Sequence, residues 1–392
     1  MRVVVHMGMH KTGSSSIQGY FHRTELPGVA YLRFQGPNHS GIFTMLFDDD
    51  ERVLRSRTLN ENGTIDLGEL LQRRASGVHQ FAAQMRVLQG TDATAIFSAK
   101  QISAPRFVNA RARLHAFLRG FTEDLAVVGY VRSPLSYAVS AFQQRLRSPQ
   151  RLRDEEMCVL PVYRDRFEQM DDLFGRDRVQ LVPFTPAALH GGDVVMDFAH
   201  RIGVELPGAP PERLNEALSL EAAALLYLHR TQGAGRLSGI AGATAINREF
   251  AQRLRALGRT RFTFAPELWQ PQLHALRDDL EWIRDRLGTP LEDTSPPAYA
   301  ETVASPAQLL DIADRQGPAL EALVAGCLED FGPEVHRRGL PSAAGLTPRA
   351  HVLEMLALLL DGVRARHDAR QAVRQRRGQR PGAVPRPDIA PV

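Results

Sequence analysis

Cysteine is nearly absent from this chain. Only Cys158 and Cys327 occur in 392 residues, far apart and in no C-x-x-C pair. That excludes a disulfide scaffold and a thiolate zinc site, and it fits a reducing compartment. Long apolar runs are also missing, and none approaches the roughly 18–20 residues of a membrane-crossing helix. Met1–Val5 runs straight into a glycine-containing loop, too short a stretch for the apolar core of a secretory leader. The expectation is a soluble, cytoplasmic protein. Net positive charge is missing outside the tail: the formal net charge is +4, but residues 364–392 hold eight arginines and two aspartates, leaving about −2 on everything before them. A general basic surface for nucleic acid is thereby excluded. Any anion has to be met by a local site.

A hydrophobic content of 43% is enough for a substantial core. Val3–His6 reads as a buried strand because three β-branched valines follow one another. Further strands are expected at Thr94–Ser98, Leu125–Val131 and Val179–Phe184. Helical patterns fill 66–89, 104–119, 134–147, 161–174 and 193–202. Strands alternating with helices at this spacing predict an α/β fold, a parallel sheet with helices on both faces. From 219 onward helices dominate, at 219–232, 244–257, 266–287 and 305–328. Ser219 reads as an N-cap. The reading divides the chain into an α/β domain over 1–290, mainly helical from 219, a helical extension over 291–377, and a disordered tail over 378–392. The extension carries the stripe Val352, Leu356, Leu359, Leu360 and Val363. The tail contains four prolines and little that can pack. Its arginines suit either a solvated helix end or an anionic partner.

Most of the chemical information lies in His6–Met7–Gly8–Met9–His10–Lys11–Thr12–Gly13–Ser14–Ser15–Ser16–Ile17. A buried strand enters a tight loop, and a helix opens with three hydroxyl residues. The first N–H groups of a helix lack intrahelical partners, and with the dipole they present roughly half a positive charge. Gly13 lets backbone approach a ligand closely. Lys11 adds a full charge, and Ser14, Ser15 and Ser16 add donors. A phosphate or sulfate group needs this set. A Walker loop places its lysine after the second glycine, whereas here Lys11 precedes Gly13. The bland alternative is an N-cap serine beside a solvated lysine.

A second candidate anion site follows a second buried strand. Val127–Val131 leads into Arg132–Ser133–Pro134, with Ser140 two turns into the next helix. Proline suits a first helical turn, and Arg132 offers a planar fork to phosphate oxygens.

At these residues the chain resembles the PAPS-dependent sulfotransferases, whose 5′-phosphosulfate loop has a Lys-[ST]-Gly-[ST]-[ST] core. It looks most like the bacterial branch, in which His6, Gly8, Lys11, Thr12, Gly13, Ser14, Ser15, Ser16, Ile17 and Gln18 all have counterparts. The resemblance spans residues 1 to about 260. It implies a P-loop-like sulfotransferase architecture and transfer of a sulfuryl group from PAPS, leaving 3′-phosphoadenosine 5′-phosphate. The acceptor would be a hydroxyl, or less readily an amine, of a glycan, lipid or small metabolite. Lys11 would neutralise the departing nucleotide, Thr12 to Ser16 would hold the 5′-phosphate and sulfonate oxygens, and Arg132 with Ser140 would hold the 3′-phosphate. No metal is implied. The chain departs from the pattern at Phe97–Ser98–Ala99–Lys100, where related enzymes tend to place Ser-x-Glu. The general base therefore has three candidates, His10, His39 and Lys100. His6, on a buried strand, reads as a core histidine. Two rival functions stay open: a P-loop nucleotide kinase, which would need magnesium and a Walker B aspartate not found here, and a non-catalytic nucleotide binder on the same fold.

Overall fold

The computed structural model describes residues 1–9, 11–49, 67–208, 217–233, 242–291 and 300–378. His10 and the tail after Gly378 lie outside these residues. Five parallel strands form the main sheet in the order β2-β3-β1-β4-β5: β1 (Arg2–Gly8), β2 (Val29–Tyr31), β3 (Thr94–Ser98), β4 (Leu125–Val131) and β5 (Val179–Pro183). With β1 between β3 and β4, Val5 pairs with Phe97 on one side and Val127 on the other. The fold is α/β, a parallel sheet covered by helices on both faces.

Strand alternation decides which side chain meets which layer. Val3, Val5 and Met7 join Phe97, Val127 and Val131 in one core. It is closed by α2 (Ser40–Phe47), α3 (Leu67–Leu88), α4 (Val108–Arg119) and α6 (Arg164–Phe174). Val4, Ile96, Val128 and Tyr130 face the opposite core, covered by α1 (Ser14–Arg23) and α7 (Val194–Ile202) through Ile17, Phe21, Val194 and Phe198. The helix after β4, α5, runs Pro134–Leu146.

The expected strands and most helices are present within one to three residues. Three strands were not foreseen: β2, too short for a period to register, and β6 (Arg261–Phe264) with β7 (Ala300–Val303), which form a separate parallel pair. The pattern over 266–287 is two helices, Pro266–Ala275 and Arg277–Leu287, broken at Leu276. The second brings Asp279 to the start of α6, where its carboxylate accepts from the Tyr163 and Arg164 amides at 2.7 Å each. A remote carboxylate thus caps a helix that has no side-chain cap of its own. Likewise 305–328 divides into Pro306–Asp314 and Gly317–Ala325, where Pro318 suits a fresh helix start.

The chain forms two compact units, and they are not sequential. The first is Met1–Arg145, Arg153–Leu218 and Thr260–Pro306; the second is Leu146–Leu152, Ser219–Arg259 and the chain from Ala307 onward. The helical stretch 219–259, read from the sequence as part of 1–290, therefore groups with the C-terminal helices. In that second unit Val352, Leu356, Leu359 and Val363 of the long helix Pro348–Gly378 are fully buried, packed with helices 220–232, 243–254 and 317–325. Ser219 is an N-cap: its Oγ accepts from the Ala222 amide at 3.1 Å and donates to the Leu257 carbonyl at 2.6 Å. No helix among the described residues is long and apolar enough to cross a membrane.

Candidate functional site

The strand order makes a crevice. From β1 the chain moves outward to β2 and β3 on one side, then returns to build β4 and β5 on the other. In such sheets the connections leaving the carboxyl ends of the strands diverge at the reversal, and ligands bind there. Here that point lies between β1 and β4. The loop after β1 carries Lys11 and Gly13, and the turn after β4 carries Arg132.

Gly8 and Gly13 shape the loop. A Cβ on Gly8 would lie 2.6 Å from Thr12 Oγ1, so glycine is what lets Thr12 fold inward. Thr12 is fully buried and donates its hydroxyl to the Met9 carbonyl at 2.9 Å. Its hydroxyl braces the loop from within. Gly13 is left-handed, φ 73, and a Cβ there would meet Val194 Cγ1 at 2.5 Å. Lys11 also has a left-handed backbone, φ 62. Positive φ is unfavourable for a residue with a long side chain and is held only where the surroundings enforce it.

The start of α1 is open as an anion cradle. Ser16 and Ile17 both donate to the Gly13 carbonyl, at 2.8 and 3.2 Å, leaving the Ser14 and Ser15 amides with no carbonyl inside the helix. Ser15 and Ser16 are exposed. Ser14 is buried, and its Oγ is shielded with no hydrogen-bond partner among the described residues. A shielded hydroxyl without a partner beside helix-start amides and a lysine fits an oxyanion that would accept from it.

Arg132 closes the other side. Its Nη1 donates to the Lys11 carbonyl at 2.9 Å and its Nε to Ser136 Oγ at 2.6 Å. Its own carbonyl accepts from Tyr163 Oη at 2.7 Å. The guanidinium is therefore tied to the Lys11 loop, across 121 residues of sequence. Ser136, one turn before the buried Ser140 on α5, was missed in the sequence. Its i+4 spacing from Arg132 was the available signal.

The base candidates separate. His39 is 1% exposed and sits among Tyr31, Phe34 and Phe97, ring centroids 4.8 to 5.2 Å away. Its Nδ1 accepts from the Ser98 amide at 3.1 Å, and burial lowers its pKa to about 3. An imidazole so buried packs as part of the core, and burial makes it weakly basic. His6 is likewise fully buried, its Nδ1 2.7 Å from Ser98 Oγ, its pKa lowered to about 3 by burial and then by His39. Lys100 begins a short 3-10 helix directly after β3 and is half-buried at the same sheet edge as Lys11 and Arg132. Among the described residues no group of three or more His, Cys, Asp or Glu gathers to hold a metal ion.

No family model matches the chain, and no curated protein matches it. Among solved structures, a sulfotransferase from Alicyclobacillus acidocaldarius is similar to this chain at a TM-score of 0.40 and 14% identity, covering 75% of this chain and 98% of that one.

Proposed function

We propose that this protein is a sulfotransferase that uses PAPS as donor and a hydroxyl group as acceptor. The observation that carries the reading is the bond from Arg132 to the Lys11 carbonyl. It joins two anion-binding elements, a helix-start loop and a strand-end arginine, across the β1/β4 crevice, and the donor carries two separated phosphate positions. The Ser14 and Ser15 amides, Ser14 Oγ and Lys11 would hold the 5′-phosphosulfate. Arg132, Ser136 and Ser140 would serve the 3′-phosphate. In the transfer the S–O bond to the donor phosphate breaks, a new S–O bond forms to the acceptor oxygen, and the acceptor proton leaves to a base. Positioning and charge stabilisation supply most of the rate in transfers of this kind. Lys11 would neutralise the departing phosphate, and Lys100 is the base candidate that lies at this edge.

Calorimetry tests the donor. Without magnesium, 3′-phosphoadenosine 5′-phosphate should bind at least tenfold more tightly than AMP, and Arg132→Ala should remove that preference. Equal affinity for the two nucleotides would overturn the two-phosphate reading. A requirement for magnesium would favour a kinase.

A further inference from the structure

The helices of the first unit carry arginines that the donor does not account for. Arg111, Arg145 and Arg166 come from α4, α5 and α6, and none makes an ion pair among the described residues. Arg111 is 1% exposed and is satisfied by neutral acceptors: the carbonyls of Ile102, Ala104 and Asp165 and the Gln169 side chain. Its pKa is lowered to about 10 by burial and then by the neighbouring Arg166.

Arg166 reaches the reaction edge. Its Nη1 donates to the Ser103 carbonyl at 3.3 Å, and Ser103 Oγ donates in turn to the carbonyls of Gly8 and Lys100. Its Nη2 donates to Tyr137 Oη at 2.8 Å, and its guanidinium lies 5.1 Å from the centre of that ring. Its Nε is shielded and has no acceptor. Arg145 is the more telling case. Both its Nε and its Nη2 are shielded from solvent without a partner among the described residues, while the side chain as a whole is only half-buried. Burial lowers its pKa, opposed by Tyr137, Glu156 and Cys158 around it. Glu156 is engaged elsewhere, accepting from the Arg153 amide at 2.9 Å.

A guanidinium that has lost water at two nitrogens and gained no acceptor is costly to a fold. Such a cost is retained where a ligand relieves it. We infer that Arg145 and Arg166, both neighbours of Tyr137, bind a carboxylate or other oxyanion on the acceptor, so the acceptor of this enzyme is an anionic hydroxyl compound. This rests on the transferase reading for the word acceptor; the oxyanion site itself does not. The planar forks of two arginines suit an oxyanion.

The test uses the full chain with 4-hydroxybenzoate as probe and its uncharged amide as control, at matched ionic strength, with and without 3′-phosphoadenosine 5′-phosphate. 4-Hydroxybenzoate should raise the melting temperature by about 2 °C or more and the amide should not. Arg145→Met should abolish the shift and, without ligand, should melt above the wild type, because it removes an unpaired charge. Equal shifts from acid and amide, no shift from either, or a lower melting point for Arg145→Met overturns the inference. An Arg145-dependent shift in a protein that fails to bind 3′-phosphoadenosine 5′-phosphate would instead keep the oxyanion site and remove the donor.

Discussion

Lys11 has a left-handed backbone and a charge, and two substitutions separate these. The φ of 62 costs an L-residue about 1–2 kcal/mol, a cost glycine does not bear. Glycine gives back part of that gain through the freedom of its unfolded chain, about 0.5–1 kcal/mol. Lys11→Gly should therefore be about 1 kcal/mol more stable than Lys11→Ala, a difference of about 2–4 °C in melting temperature. Both variants lose the ammonium, so both should lose about 10²–10³ in turnover, about 2.7–4 kcal/mol, if Lys11 acts as charge develops on the departing group. Scanning calorimetry without ligand reads the first effect, and transfer from labelled donor at saturating acceptor reads the second. Equal stability of the two variants would refute the strain. Turnover within tenfold of wild type in both, with only a weaker KM, would reduce Lys11 to a binding residue.

Two further outcomes follow from the loop and the core. Gly13→Ala adds a left-handed alanine and a contact at 2.5 Å with Val194, whose side chain is stiff in a helix, for a loss of about 2–4 kcal/mol. Val194→Ala in the same chain should recover the contact part, and strict additivity of the two changes in urea titration would disprove the clash. For His6 and His39 the folded pKa of about 3 lies below the unfolded value near 6.5, so the unfolded chain takes up the proton first. Stability is then full above pH 6.5 and falls toward pH 3 by about 1.4 kcal/mol per pH unit for each histidine. Denaturation followed from pH 7.5 to 5 should show this loss, and His39→Phe should about halve its slope, leaving the His6 part; a flat profile in the wild type would contradict the burial of both rings.

Much of the fold was legible because local patterns carry it. Three consecutive valines declare β1 buried on both faces, and Pro134 announces the start of α5. The three residues of β2 are too few to show a period, and the break at Leu276 is marked by no glycine. The grouping of Ser219–Arg259 with the C-terminal helices rests on contacts far apart in sequence, which no local pattern encodes.

The same division runs through the site. By itself the sequence determined that a lysine, a glycine and three serines stand at a strand-to-helix turn, and that an arginine ends another buried strand, because those features need only neighbours. Only the tertiary structure decided which groups are available. It turned the Thr12 hydroxyl inward to Met9, left Ser14 Oγ without a partner, sank His39 among aromatic rings and tied Arg132 to the Lys11 carbonyl. Hydrogen-bond satisfaction and desolvation depend on what the rest of the chain brings within reach, and that is settled only when the strands take their order in the sheet.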